Sequence, residues 1–571
     1  MQRTRLIMMV IAFLILLGCA VSGSDSTERM PSEREEAEPA DMPKFSEIVY
    51  TRPDMDAITE AYEALIKDLS ENKLSLKQAI SRVDDCYNLY DEFYTMRTVA
   101  ELRYYHDITG TYYADESDWF LNQEPEMDRL FNELCSASAN SELGEQLDEE
   151  FWGGWTVDSY RGQETAQLDP AFRELLQQEN EILAEYRRVS ADPTVSWRGK
   201  ECSYMDLQED DSISAEEWNE IQNLYYDKYS PIFGEIYLRL VDVRQKQAEY
   251  LGLDSYEDYA YAYELNREYS PEQAETMLSH IRTDLAPLYR ELSLNSRWAE
   301  LYYTELNEAE NLEAITAAAK AMGGTIRNAS KDMERYELYD IDVSDKKGAI
   351  SYQCYLYSYE NPFVFVKTYG YSDDILAFGH EFGHFVDAWY NYDATNNNDL
   401  AEVFSQGMEY LLLFYIPEDY REELTVYKLL DTVDTFTQQG SFAEFEHEVF
   451  SKPAEAWTTE ALEALSLQLS KDYGYFEEGM ENYYAKSWFD VTHFFERPFY
   501  VVSYCVSNDA AFQIYALESE KRGAGLDCWN KMLPRESDSF LETVMEQGGL
   551  EDPFAEDRMR QIADVIREKL H

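Results

Sequence analysis

The sequence of 571 residues predicts a mainly α-helical protein with a small β-sheet. From residue 54 onward, apolar residues recur at spacings of three and four, the pattern of helices that bury one face. Strand signals are confined to a few short runs rich in aromatic and β-branched residues. No repeat of fixed period is visible, so a solenoid is not predicted.

The helices are placed by their periodicity and end signals. Residues 56–70 put four apolar side chains on one face, namely Ile58, Tyr62, Leu65 and Leu69. Pro231 is expected to kink or break the longest predicted helix, and Gly252 to end it. The remaining well-defined helices are predicted at residues 170–189, 215–252, 271–296 and 308–322.

Two pairs of strands are predicted. Residues 194–199 and 200–207 can form a hairpin that turns around Gly199. Residues 348–358 and 362–369 are rich in aromatic and β-branched side chains. The second pair comes just before the segment richest in chemistry-bearing residues.

The N-terminus resembles a secretion signal. Arg3 and Arg5 precede an apolar run at residues 6–17, which is shorter than the roughly 20 residues a membrane-spanning helix needs. The run closes at Gly18-Cys19, as in bacterial lipoprotein signals, whose cysteine is lipidated and becomes the new N-terminus. An ordinary cleaved signal with an incidental cysteine is the alternative. We expect a lipoprotein anchored through Cys19 to a bacterial membrane, outside the cytoplasm.

Composition restricts the function further. The chain has 48 Lys and Arg against 113 Asp and Glu, a net charge of −65, so it lacks the cationic surface that nucleic acid binding requires. Residues 20–43 are polar, carry Ser, Glu and Pro, and predict a disordered acidic tether. The cysteines beyond Cys19 are scattered without a CxxC pair, and we expect mostly buried thiols.

The strongest motif is His380-Glu381-Phe382-Gly383-His384, in a chain with only seven histidines. On a helix His380 and His384 lie about 40° apart, so both rings can bind one cation, typically Zn²⁺. Glu381 lies about 100° away, where it can touch a water on the metal. The alternative is a core helix with two satisfied histidines.

The next predicted helix, residues 398–415, offers the third metal ligand. Glu402 is embedded in an apolar stretch and is the expected ligand. Asp399 or Glu409, spaced to return to nearly the same face, would hold the histidine rings from behind. Exposure of these acids to solvent is the alternative in so acidic a chain.

At these residues the sequence resembles the oligoendopeptidase F / thimet oligopeptidase family of zinc peptidases. Besides the two metal-binding helices, three upstream segments resemble the family, at residues 249–256, 346–350 and 362–367. In all, the resemblance covers about residues 215–520. The resemblance implies a helical bowl around a deep substrate channel with zinc at its floor. It departs from the family in a shorter connection between the two helices and in Asp387, where a third histidine is common.

The family also uses a C-terminal histidine and tyrosines to stabilise the oxyanion. The resemblance assigns this role to His493, Tyr504 and Tyr500, the two tyrosines sharing a helical face at spacing four. Core packing is the alternative for each.

The resulting hypothesis is a monomeric zinc-dependent endopeptidase with one Zn²⁺ per chain, acting on short peptides. Its regions would be a signal at 1–19, the tether at 20–43, an N-terminal helical region at 44–210 and the catalytic domain at 211–571. Two alternatives stay open: a lipid-anchored peptide-binding protein, and a peptidase homologue that keeps zinc but lacks activity.

Overall fold

The computed structural model describes residues 42–152, 155–161, 170–191, 193–208, 210, 212–293, 303–392, 397–536 and 539–570. The described chain is mainly helical with two small sheets, as predicted. The predicted signal, Cys19 and the predicted tether up to residue 41 lie outside the described residues. Met42 is already buried against the body of the protein.

The helices are numbered in chain order. The N-terminal set is α1 Met55–Ser70, α2 Leu76–His106, α3 Thr111–Asn140, α4 Gly144–Phe151, α5 Trp155–Tyr160, α6 Pro170–Ser190, α7 Tyr204–Gln208 and α8 Ala215–Leu251. The middle set is α9 Tyr256–Tyr259, α10 Pro271–His280, α11 Ala286–Ser293, α12 Glu308–Met322, α13 Gly324–Tyr336, α14 Asp374–Asn391 and α15 Asn398–Tyr415. The C-terminal set is α16 Glu418–Phe450, α17 Thr459–Asp472, α18 Glu481–Lys486, α19 Thr492–Glu496, α20 Val502–Glu520, α21 Ala524–Met532, α22 Leu541–Gly548 and α23 Arg558–Leu570.

The predicted helices form close to their expected positions. The four apolar residues predicted to share a face of α1 are all buried. Helix α8 continues through Pro231, so no break occurs there, and it ends at Gly252 in the left-handed conformation with φ 74°. Of the predicted helix at 271–296, the described residues up to 293 form α10 and α11, joined by a π-helical turn at Ile281–Leu285, and residues 294–296 lie outside the described ranges.

Both predicted strand pairs are present. Strands β1 Thr194–Trp197 and β2 Lys200–Ser203 form an antiparallel hairpin, with Arg198 at φ 51° and Gly199 at φ 78° in the turn. The second strand is shorter than predicted, because the chain enters α7 at Tyr204. The other sheet has the order β3-β5-β4, with β5 antiparallel to β4 and parallel to β3.

The second sheet comes just before α14, the helix that carries the motif from His380 to His384. Its strands are β3 Tyr339–Asp340, β4 Tyr352–Leu356 and β5 Asn361–Phe365. Strand β5 is buried along its whole length and precedes α14 in the chain. Helix α15 packs against both α14 and α20, and these helices belong to one continuous apolar core.

Two further features concern membranes and cysteines. Within the described ranges, no helix combines the length and apolar character needed to cross a membrane. The same residues contain no disulfide, and most of their cysteines are buried, as predicted.

Candidate metal centre

Glycines let helix α14, which carries the two histidines, come very close to helix α15, which carries Glu402. A Cβ added at Gly383 of α14 would lie 2.6 Å from both the carbonyl oxygen of Phe404 and the Cα of Ser405 on α15. A backbone cannot yield as a side chain can, so only glycine fits this crossing. At Gly379 the nearest atom is instead the end of the Leu412 side chain. The close crossing brings Glu402 opposite the histidines.

The predicted ligands converge on one point. Glu402 Oε2 lies 3.5 Å from His380 Nε2 and 3.9 Å from His384 Nε2, and one ligand atom from each residue lies within 4.8 Å of the others. Ligands at 2.0–2.2 Å on a tetrahedral zinc ion are roughly 3.4 Å apart. The two separations from Glu402 are close to this value, so two imidazoles and one carboxylate are placed where they could hold an ion such as Zn²⁺.

Glu409 supports His380 from behind. Its Oε1 lies 2.8 Å from His380 Nδ1, which leaves Nε2 directed toward Glu402. The other oxygen, Oε2, forms an ion pair with Lys428 Nζ at 2.8 Å. Although burial raises the pKa of Glu409, the charge of Lys428 and the bond to His380 hold that pKa below its ordinary value. The carboxylate therefore stays ionised and accepts from the ring.

Asp399, the other predicted support, is placed differently. It is 1% exposed and its Oδ2 lies 3.5 Å from Nε of the buried Arg267. Neither of its oxygens has a hydrogen-bond partner among the described residues. Asp399 therefore neutralises Arg267 and does not hold a histidine ring, which corrects that part of the prediction.

The cluster brings several titratable side chains together in the interior. Against the effect of burial, Glu409 and Glu402 raise the pKa of His380 to about 9. Burial and the neighbouring His380 lower the pKa of His384 well below its usual value. Glu381, Glu402 and Glu409 thus surround the two imidazoles, and Lys428 pairs with one of the three acids; such a set of groups can take up a divalent cation.

Glu381 is suited to proton transfer. Its side chain is buried, and burial together with Glu402 and Glu409 raises its pKa to about 8, although His380 opposes the shift. A carboxyl group that titrates near neutrality can both accept and release a proton at the working pH.

The three predicted oxyanion residues lie together beside Glu402. The Tyr500 hydroxyl donates to Glu402 Oε1 over 3.3 Å, and the rings of His493 and Tyr500 stack with centroids 5.3 Å apart. Tyr504 touches both, with centroid distances of 6.1 Å to His493 and 5.5 Å to Tyr500.

His493 is neutral and has hydrogen-bonding capacity to spare. Burial and the charge of Arg497 lower its pKa to about 4. Neither ring nitrogen has a hydrogen-bond partner among the residues that the structure describes. A neutral imidazole of this kind can donate one N–H to a substrate.

The turn before α20 departs from the predicted helix. Tyr500 lies before the first residue of α20, in a turn where Phe499 has φ 63°. The Phe499 N–H donates 2.9 Å to Oε1 of Glu446, a fully buried residue of α16. Positive φ is unfavourable for a bulky residue, so this bond stabilises the turn that presents Tyr500.

Sequence reasoning missed Lys428, Glu446 and Arg267. Each acts on a partner far away in the chain, and each is a charged residue in a chain rich in charges. The one signal for Lys428 is its place among apolar residues of α16, next to Leu429 and Leu430. That pattern indicates burial but does not identify the partner.

A second group of potential ligands is already satisfied. His106, Asp340 and Asp342 lie close together, but Lys347 Nζ is 2.6 Å from Asp340 and 3.4 Å from Asp342. The ammonium group supplies positive charge there, so the two carboxylates already have a counter-ion within the protein.

Comparison with known protein families indicates the class of protein. Residues 45–157 match the family model of the Peptidase M3 N-terminal domain. The family resemblance seen in the sequence is thereby supported from a part of the chain outside the metal-binding helices.

Particular relatives narrow the class. The chain is 26% identical to oligopeptidase PepF of Bacillus subtilis strain 168 over 247 residues, 40% of this chain and 36% of that protein's length. The fold matches PZ peptidase A, solved with an inhibitor, with a TM-score of 0.73 at 20% identity over 92% of this chain and 99% of the other. It also matches oligoendopeptidase-F from Enterococcus faecium, with a TM-score of 0.58 at 16% identity over 90% and 97%. The predicted fold class and the resemblance to the oligoendopeptidase F family are confirmed.

Proposed function

We propose that this protein is a zinc-dependent metalloendopeptidase that hydrolyses short peptides. The observation that carries the proposal is the convergence of His380 Nε2, His384 Nε2 and a Glu402 oxygen within 4.8 Å, with Glu381 in the next helical position. The similarity to PepF and to solved oligoendopeptidases supports peptides as the substrate class.

His380, His384 and Glu402 would hold the Zn²⁺ ion. Bound there, the ion would supply Lewis acidity that activates water and polarises the scissile carbonyl. Glu381 takes the proton from the attacking water and later gives it to the leaving amine. Tyr504 and His493 donate hydrogen bonds toward the carbonyl oxygen as negative charge develops on it, whereas the Tyr500 hydroxyl, also assigned to this role by the resemblance, donates to Glu402 and would have to leave it to reach the substrate.

Cleavage of an internally quenched fluorescent peptide tests the activity. The purified protein should cleave it, lose activity with a chelator and regain it with about one equivalent of Zn²⁺ per chain. Glu381→Gln, which keeps the side chain's shape, should retain zinc but lose at least 10²–10⁴-fold in rate. A zinc-loaded Gln variant with full activity would contradict the role of Glu381.

The remaining part of the proposal concerns location. Lipidation of Cys19 would anchor the enzyme to a bacterial membrane outside the cytoplasm, with the acidic tether between anchor and body; the support is the sequence at residues 16–19. Cys19→Ala should move the protein out of the membrane fraction or leave it unprocessed. A wild-type protein that is wholly soluble and begins beyond residue 20 would refute the anchor and leave the enzyme proposal standing.

A further inference from the structure

Lys428 is a buried cation close to the metal centre. It lies on α16, is 4% exposed, and its Nζ is 2.8 Å from Glu409 Oε2 and 2.8 Å from Asp431 Oδ2. Its ammonium also faces the ring of Tyr410, 5.2 Å from the centroid. With two carboxylates and an aromatic face around it, the ammonium group is held in one place.

The contacts continue from Lys428 to a metal ligand. Glu409 uses Oε2 for Lys428 and Oε1 for His380 Nδ1, both at 2.8 Å. The opposite ring nitrogen, His380 Nε2, faces Glu402 at 3.5 Å. Glu409 uses one oxygen for each neighbour, and His380 uses one ring nitrogen for each. The ammonium, the carboxylate and the ring therefore form one continuous series of contacts.

We propose that Lys428 is a positioning residue for the metal centre: it fixes the Glu409 carboxylate, which in turn fixes the ring of His380 with Nε2 toward the ion. This assignment rests on the proposed zinc site. Partners behind metal-bound histidines set the ring's orientation and tautomer, and their loss commonly lowers metal affinity 10–100-fold.

The geometry explains why a cation is needed at this position. A carboxylate held at one oxygen can still rotate about its terminal bond, whereas one held at both oxygens cannot. Without Lys428, the buried Glu409 and the partly buried Asp431 would lose their shared counter-ion, and Asp431 would repel Glu409 from its place behind His380.

Zinc affinity, measured by competition with a chromogenic chelator, tests the proposal without reference to activity. Lys428→Met should bind zinc 10–100-fold more weakly while remaining helical by circular dichroism. The matched control is Asp431→Asn, which removes the other carboxylate but keeps the series from Lys428 to His380. Its zinc affinity should stay within about threefold of the unaltered protein.

Two double variants make the test specific. Lys428→Met with Asp431→Asn removes one charge of each sign, so it folds with a smaller electrostatic penalty and should show the same loss of affinity. In a Glu409→Gln background, Lys428→Met should have little further effect, because the proposed route through the Glu409 carboxylate is already broken.

The outcomes separate this inference from the proposed function. Unchanged zinc affinity in folded Lys428→Met, or an equal loss in the Glu409→Gln background, would overturn the role of Lys428 and leave the zinc enzyme intact. Failure of the unaltered protein to bind zinc would overturn the proposed function and, with it, the role of Lys428.

Discussion

The Tyr500 hydroxyl contacts Glu402 directly, donating a hydrogen bond to Oε1 over 3.3 Å. The other oxygen of Glu402, Oε2, faces the two histidines. Tyr500 therefore touches the carboxylate that completes the candidate metal centre, whereas Tyr504 is in ring contact with Tyr500 and His493. The two tyrosines should differ in what their hydroxyls do.

Removal of each hydroxyl should separate these roles. Tyr504→Phe should lower kcat by about 10–10³-fold with little change in KM, zinc affinity or Tm, because an oxyanion donor acts mainly in the transition state. Tyr500→Phe should also weaken zinc binding measurably, because it removes a bond to Glu402. Tyr415→Phe is a control on α15, since its hydroxyl bonds Glu518 instead. Normal kcat with a lower Tm in Tyr504→Phe would show that Tyr504 only packs.

The crossing of α14 and α15 predicts unequal costs for two similar substitutions. Replacing an interior helical glycine by alanine favours the helix by about 1 kcal/mol. At Gly379 this gain offsets part of the clash, because the end of the Leu412 side chain can move. At Gly383 the clash is with backbone, so Gly383→Ala should lower the free energy of unfolding by about 1–3 kcal/mol and weaken zinc binding.

Urea unfolding and chelator competition on both alanine variants check this prediction. Equal stability and zinc affinity of Gly383→Ala and the unaltered protein would show that the helices need not approach so closely.

Asp490 should make stability depend on pH. Burial raises its pKa to about 7, although hydrogen bonds from Tyr226 at 2.7 Å and Tyr225 at 3.4 Å favour the charged form. Because the unfolded value is about 3.9, the folded state binds more protons between these values, and its contribution falls as pH rises from about 4 to 7.

Asp490→Asn lacks this titration. The free energy of unfolding of the unaltered protein minus that of the variant should therefore decrease by up to about 4 kcal/mol between pH 4 and pH 8. Urea titrations at both pH values measure the difference. A difference that does not change with pH would mean that folding leaves the pKa of Asp490 at its unfolded value.

Local patterns predicted most of the elements, because those elements depend on neighbouring residues. The spacing of apolar residues in α1 fixed its buried face, and Gly252 ended α8 in the left-handed conformation that glycine adopts readily. The spacing of His380, His384 and Glu402 likewise requires only two adjacent helices, α14 and α15.

Features that depend on distant contacts could not be predicted from the sequence. The turn at Phe499 is held by Glu446, so the periodicity around Tyr500 suggested a helix that does not form there. Asp399, three residues before Glu402, and Glu409, seven residues after it, were both candidates behind the histidines. Arg267 and Lys428, from other helices or loops, determine which of them bonds to His380.

The most direct test of the account is the zinc content of the purified protein and of Glu402→Ala. The unaltered protein should contain about one zinc per chain, and Glu402→Ala should lose most of it while remaining helical by circular dichroism. Metal analysis by mass spectrometry after extensive dialysis gives both numbers. Full zinc retention in Glu402→Ala, or no zinc in the unaltered protein after reconstitution, would contradict the assignment of His380, His384 and Glu402 as the metal ligands.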